Sequence, residues 1–312
     1  MENDKVYFSY QQVRSNFFKT YLLVIIMALL AFAVAALIGY LMNDLRMGLL
    51  IGAVVALVVI PLEILTAKIA IKTMTRGRDL DMDNQKERDL YRIVEGLAIA
   101  AGLKRTPEVF IVPSDVPNAF ASGMSEKDAF IGVTRGLLNT LNRSELEGVI
   151  AHEISHIVHR DIMVSQLVVG LVSVILILVF IAERVAMVRS MGERRRSNDN
   201  DNNSAAAVAL VAMLIFILLR PLAYLIASLL QLAVSRKREY AADAYAVRLC
   251  NNNEGLARAL EKIGGVGQYS QEEVEELGGT QLKAAYISFP GEGLFSTHPP
   301  IEERIKIIRS MY

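Results

Sequence analysis

Four long apolar runs limit what this chain can fold into. From Tyr21 to Leu41 there is no charged residue, and about 20 apolar residues are enough to cross a hydrocarbon core as a helix. A short turn, Met42–Arg46, leads into a second run, Met47–Leu65, which contains Pro61 and Glu63. Proline is tolerated in lipid when neighbours satisfy the freed carbonyl, and Glu63 is expected at the interface beside Lys68. The third run is Ile162–Ala182 and the fourth is Ala205–Val234, broken by Arg220–Pro221. Apolar residues make up 53% of the chain, and their concentration in blocks points to membrane spans rather than to one large soluble core. A polar segment precedes the first run and no small-residue cleavage site follows it, so the run reads as a retained span, not a signal peptide.

Basic residues beside the runs set an orientation. Lys5, Arg14 and Lys19 precede the first span; Lys68, Lys72, Arg76 and Arg78 follow the second; only Arg46 lies between. The positive-inside rule therefore puts both ends of a hairpin 21–65 (spans 21–41 and 47–65) in the cytoplasm. The organisation expected is a cytoplasmic segment 1–20, the hairpin, a first half-domain 72–161, third and fourth hydrophobic helices over 162–234, and a second half-domain 235–312. The loop 183–203 carries Arg184, Arg189, Arg194, Arg195 and Arg196. If both later runs cross, that loop lies outside, against the rule; if not, they are long helices only partly in the bilayer. Their length favours two crossings. The 33 basic and 33 acidic residues balance, which gives no basic surface for nucleic acid. The lone Cys250 excludes an internal disulfide and suits a reducing compartment.

Between the runs the pattern is that of an α+β domain. Leu90, Ile93, Val94, Leu97 and Ala101 mark an amphipathic helix over 84–101, closed by Gly102. Val109–Val112, Asn118–Gly123 and Ala129–Val133 read as strands of a small sheet, and Gly136–Leu141 as a short helix. Further helices are expected over 235–246, 253–263 and 301–311. The glycine-punctuated stretch 264–293 is a candidate lid.

The chemistry centres on Ala151–His156, which reads H-E-x-x-H and holds two of the chain's four histidines. Asn142 with Glu145, or Ser144 with Glu147, would cap the helix that carries it. That helix is expected to run almost straight into the third apolar run. Histidines four apart on a helix turn their rings to one ion. Neutral imidazoles suit zinc, whose catalytic sites keep a position for water. Glu153, between the ligands His152 and His156, would take a proton from that water and pass it to the leaving amine. A third ligand must come from elsewhere. His159 is seven residues from His152, about 10.5 Å of helix rise, too far for one ion on a straight helix, and is read as a residue at the rim of the site or behind the ligands. Glu239 is the better candidate. Asp243 follows one turn later on the same face, placed to hold the outer nitrogen of a ligand histidine. His298 would either stabilise the oxyanion or cap the last helix.

With these residues in view the chain resembles the HtpX-type membrane metalloproteases, relatives of the CaaX prenyl proteases. The resemblance rests on Asn118–Ala121, Ala151–His156, Ser235–Tyr240 with Asp243, and Thr297–Pro300, in that order. It implies a multi-pass α-helical membrane protein with a gluzincin-like α+β protease domain facing the cytoplasm. It further implies that His152, His156 and Glu239 hold one zinc, that Glu153 is the base, and that damaged or unfolded membrane proteins are the substrates. The Asn118–Ala119–Phe120 strand is implied to be an edge that pairs with the substrate backbone, which requires an unpaired edge. His159 departs from the family's ligand pattern without disturbing it. Four runs are fewer than the CaaX proteases have, which argues against prenyl-protein processing. The alternatives are a non-proteolytic scaffold around a structural zinc and a processing protease with a single substrate.

Overall fold

The computed structural model describes residues 44–163, 236–265 and 299–311, with single positions among 18–40 and 273–287. The polar loop 183–203, the third run beyond Met163, the fourth run, most of 264–293 and His298 lie outside the described residues. The described parts fall into two units. One holds the hairpin region up to Leu65; the other holds the chain from Thr66 to Gln166 and from Gln231 to the end.

In the first unit, helix α1 (Leu45–Val54) starts where the Asp44 side chain accepts a hydrogen bond from the Met47 N–H. It widens into a π turn over Val55–Val59 and resumes as α2 (Ile60–Met74), whose residues from Thr66 on belong to the second unit. Pro61 explains the turn: it has no N–H and its ring crowds the carbonyl four residues back, so the ladder loosens there. Among the described residues, Leu45–Leu62 is long and apolar enough to cross a membrane, and Val24–Ala36 is a shorter apolar helix. These two segments approach through small residues. A side chain on Gly48 would strike the Gly39 backbone, and one on Gly52 would meet Phe32. Leu49, Leu50, Leu57, Val58 and Leu62 remain exposed, as lipid-facing positions would be.

The second unit is built on a four-stranded sheet ordered β1-β2-β4-β3, with β1 Arg78–Asp79, β2 Glu108–Val112, β3 Ala119–Ser122 and β4 Phe130–Thr134. β2 and β4 are parallel; the flanking pairs are antiparallel. The two-residue β1 carries no hydrophobic alternation and has no signal in the sequence. Phe120 stands opposite Gly132 in the β3–β4 register, and its ring fills the space a Cβ at 132 would need. Phe110, Phe120, Phe130 and Tyr286 pack together there, with neighbouring ring centroids 4.7–6.4 Å apart.

The helices are α3 (Gln85–Ala100), α4 (Arg135–Thr140), α5 (Arg143–Val158), α6 (Arg236–Cys250), α7 (Asn253–Gly264) and α8 (Ile301–Arg309). α5 is the axis of the unit and packs against α6, α7, α3 and β3. Val149, Ile150, Ile154 and Ile157 are fully buried along it. Burying an apolar side chain of that size stabilises by about 1.5–3 kcal/mol. α5 and α7 touch backbone to backbone: a Cβ on Gly148 would lie 2.7 Å from the Leu256 nitrogen. Of the two caps the sequence allows, Asn142 with Glu145 forms. The Asn142 side chain accepts from the Glu145 N–H and the Glu145 carboxylate accepts from the Asn142 N–H. Lys262 of α7 then pairs with Glu145 at 2.7 Å.

The helix does not run on into the third apolar run. α5 ends at Val158 with His159 as its C-cap, Arg160 takes a left-handed φ of 60°, and helix resumes at Asp161. Ile162 and Met163, the start of that run, are buried, and Ile162 belongs to this unit's core.

Candidate metal centre

α5 and α6 build the site between them. The rings of His152 and His156 meet edge to face, 4.8 Å apart, with their Nε2 atoms 3.2 Å from one another. Glu239, at the start of α6, lies astride them: Oε2 is 3.6 Å from His152 Nε2 and Oε1 is 3.7 Å from His156 Nε2. Among the described residues these three form the one group of His, Cys, Asp or Glu side chains able to hold a metal ion. Glu153 is buried beside His152 on α5.

Each outer ring nitrogen faces a carboxylate. His152 Nδ1 lies 2.9 Å from Asp243 Oδ1. His156 Nδ1 lies 3.1 Å from Asp161 Oδ2. A proton held on each Nδ1 leaves both Nε2 lone pairs converging on one point with the Glu239 carboxylate. Burial works against a charge on His152, yet Asp243 and Glu239 outweigh it and hold its pKa up at about 9. The pocket calls for positive charge. Two donors at zinc-type bond lengths in a tetrahedron sit about 3.4 Å apart, and the separations here are 3.2–3.7 Å. Two imidazoles and a carboxylate are a donor set that zinc accepts, so these residues fit the ion.

Two arginines stand behind the carboxylates, and neither was legible as a site residue. Arg304 of α8, fully buried, donates to Asp243 through Nε at 2.9 Å and Nη2 at 2.7 Å, and through Nη1 to the Ile287 carbonyl. Burial pushes the Asp243 carboxyl up, but Arg304 and His152 hold it well below the usual range. Arg238 donates to Asp161 Oδ1 at 3.2 Å. An arginine every few residues on a C-terminal helix reads as a solvated face, and Asp161 as a flank of the third run; only their long-range partners distinguish them.

Other expectations are redrawn. His159 has its Nδ1 2.8 Å from the Ser155 carbonyl, and its ring packs edge-on to Tyr245. Burial holds its pKa below the ordinary value. The outer nitrogen of His156 is met by Asp161, just past the left-handed residue Arg160. The β3 edge is not open at Ala119 and Phe120. The Ala119 carbonyl accepts from the Ile287 N–H at 3.0 Å, and Phe120 bridges to Tyr286. Asn118 spends its backbone on Thr134, accepting from its N–H and donating to its Oγ1, and its side chain accepts from the Ala119 N–H. Asn118, Ala119 and Phe120 are all fully buried.

The geometry is that of a metallopeptidase, and comparison with known proteins agrees. The model of peptidase family M48 matches residues 84–312, which carry all three candidate ligands. The chain belongs to peptidase family M48. It is similar to the "Protease HtpX homolog" of Listeria monocytogenes serotype 4a (strain HCC23), 39% identical over 97% of this chain and 99% of the relative. The homolog of Streptococcus uberis (strain ATCC BAA-854 / 0140J) is 38% identical with the same coverage. The crystal structure of S. mikatae Ste24p covers 93% of this chain and 66% of its own, at 20% identity and a TM-score of 0.48. As an M48 peptidase of HtpX type, this chain is a metalloprotease.

Proposed function

We propose that this M48 peptidase is a zinc-dependent endopeptidase, anchored in a cell membrane by several spans, that cleaves cytoplasmic segments of damaged or misfolded membrane proteins. The observation that carries the chemistry is the triangle of His152 Nε2, His156 Nε2 and the Glu239 carboxylate on two adjoining helices. Zinc, when bound there, supplies a Lewis acid that lowers the pKa of water and polarises the scissile carbonyl.

The chain's own residues do the rest. His152, His156 and Glu239 hold the ion, and Asp243 keeps the His152 proton on Nδ1 so that Nε2 faces inward. Glu153 takes the proton of the attacking water and delivers it to the leaving amine. His298 donates to the oxyanion that develops on the carbonyl. His156 is the partly exposed member of the triangle, which supports substrate access from its side. Both ends of the first hairpin carry lysines and arginines, which supports a cytoplasmic protease domain. Both limbs of the site adjoin apolar runs in sequence, 156 before 162 and 239 after 234, which supports cleavage close to the membrane surface.

The test uses the full chain purified in detergent. Glu153→Gln is expected to keep one zinc per subunit and lose cleavage of an unfolded casein-type substrate; cleavage retained by the purified variant rejects the base. Glu239→Ala is expected to lose zinc; full occupancy by elemental analysis rejects it as the third ligand. For the substrate class, the abundance of membrane-protein fragments is compared between cells with the active chain and with Glu153→Gln. Loss confined to soluble proteins rejects the membrane-protein assignment.

A further inference from the structure

We propose that Asp161 and Arg238 are positioning residues for His156, and that this buried pair orients the second histidine ligand toward the metal. The inference rests on the reading of His156 as a ligand.

The first observation is the path of the backbone. On a continuous helix, a residue five positions after His156 projects well away from it, since each step turns about 100°. The left-handed turn at Arg160 breaks α5 at its end and brings Asp161 back under the His156 ring, Oδ2 to Nδ1, 3.1 Å. A non-glycine residue adopts that conformation uncommonly. The second observation is the far oxygen. Asp161 Oδ1 receives Arg238 Nη1 at 3.2 Å, and Arg238 is the residue before Glu239. The pair thus ties the helix of His156 to the helix that brings the carboxylate, across 77 positions of sequence.

The third observation concerns burial. Both partners are buried, and among the described residues Arg238 Nε and Nη2 have no hydrogen-bond partner. A buried ion pair is weak evidence of stabilisation, because its desolvation can exceed its attraction. What the pair does gain is a fixed acceptor for the His156 Nδ1 proton, leaving Nε2 free to face the metal. Arg304–Asp243–His152 repeats the arrangement on the other ligand, so each histidine has an aspartate and each aspartate an arginine. Asp161 immediately precedes the third apolar run and Arg238 closely follows the fourth.

The test measures metal binding in the full-length detergent-purified chain, by competition with a chromophoric zinc chelator and by the visible spectrum of the cobalt form. Asp161→Asn is expected to weaken zinc by about 10–100-fold, to alter the cobalt spectrum, and to lower kcat more than it changes KM. Arg238→Lys, which keeps the charge, is expected to retain most of the affinity. Because the single change leaves Arg238 buried alone, the double variant Asp161→Asn with Arg238→Met removes both charges together. It is expected to fold and to show the same loss of zinc. Wild-type zinc affinity and an unchanged cobalt spectrum in the folded double variant overturn the proposal. His156→Ala is run beside it. If that variant binds zinc as the wild type does, the ligand assignment has failed and the positioning role with it. If it loses zinc while the double variant does not, only the role of Asp161 and Arg238 has failed.

Discussion

Replacing Arg304 by methionine removes the guanidinium that faces Asp243 while keeping an unbranched apolar stem in the same space. In the native chain both groups are fully buried and joined by two charge-assisted hydrogen bonds of 2.7 and 2.9 Å. The variant leaves the Asp243 carboxylate in the core without its arginine, with the His152 ring as its remaining partner, so the cost falls toward the lower end of the roughly 3–5 kcal/mol for a broken buried pair. The Ile287 carbonyl loses its donor as well, about 1 kcal/mol more. For a unit of this size each kcal/mol lowers the melting temperature by roughly 2–4 °C, so a fall on the order of 10 °C or more is expected. The assay is thermal unfolding of the detergent-solubilised, metal-free chain at neutral pH, followed by circular dichroism. A double variant, Arg304→Met with Asp243→Asn, removes the orphaned charge and is expected to recover more than half of the loss. A melting point for Arg304→Met within 2 °C of the parent refutes the reasoning. So does strict additivity of the two changes, since a coupled pair cannot be additive.

Two further changes probe the frame. Gly148→Ala would set a methyl group 2.7–2.8 Å from the Leu256 backbone and force α5 and α7 apart; a cost of about 1–3 kcal/mol is expected from denaturant unfolding, and a neutral result would mean the helices part freely. Arg78 hydrogen bonds hold the Glu87 carboxyl below its ordinary pKa against the opposing effect of burial, with help from the Asp81 N–H. That stability is fully present above the unfolded carboxylate value and is lost as the pH falls through the lower, folded value. Glu87→Gln is therefore expected to destabilise the chain by about 1–2 kcal/mol at neutral pH and to flatten the acid limb of its stability curve; an unchanged acid limb assigns that limb to other carboxylates.

How much of the site could be read from the chain depended on the range of each interaction. His152 and His156 share a helix face by their spacing alone, and Glu239 with Asp243 share another by the same rule. The strands announced themselves by β-branched and aromatic runs over Glu108–Val112 and Phe130–Thr134. β1 did not, because two residues are too few to carry a period. The helix break at Arg160 carries no local signal, since neither glycine nor proline marks it. Phe120 was read as part of an open edge, but its backbone is met by Tyr286 from 166 positions away, a pairing that no local pattern encodes. Arg304 lies on a terminal helix whose sequence is rich in charge, and only burial against Asp243 sets it apart from its neighbours.

By itself, then, the sequence determined the periodic and the local: apolar lengths that suit a bilayer, the helix that presents His152 and His156, the choice of metal-binding residue types, and the family. Tertiary structure decided which carboxylate stands behind which histidine and which arginine stands behind each carboxylate. The physical reason is that a helix face follows from spacing along the chain, whereas the partner of a buried charge is whatever the folded chain brings within about 3 Å to offset its desolvation. For His156 that partner is Asp161, and a single left-handed residue puts it there.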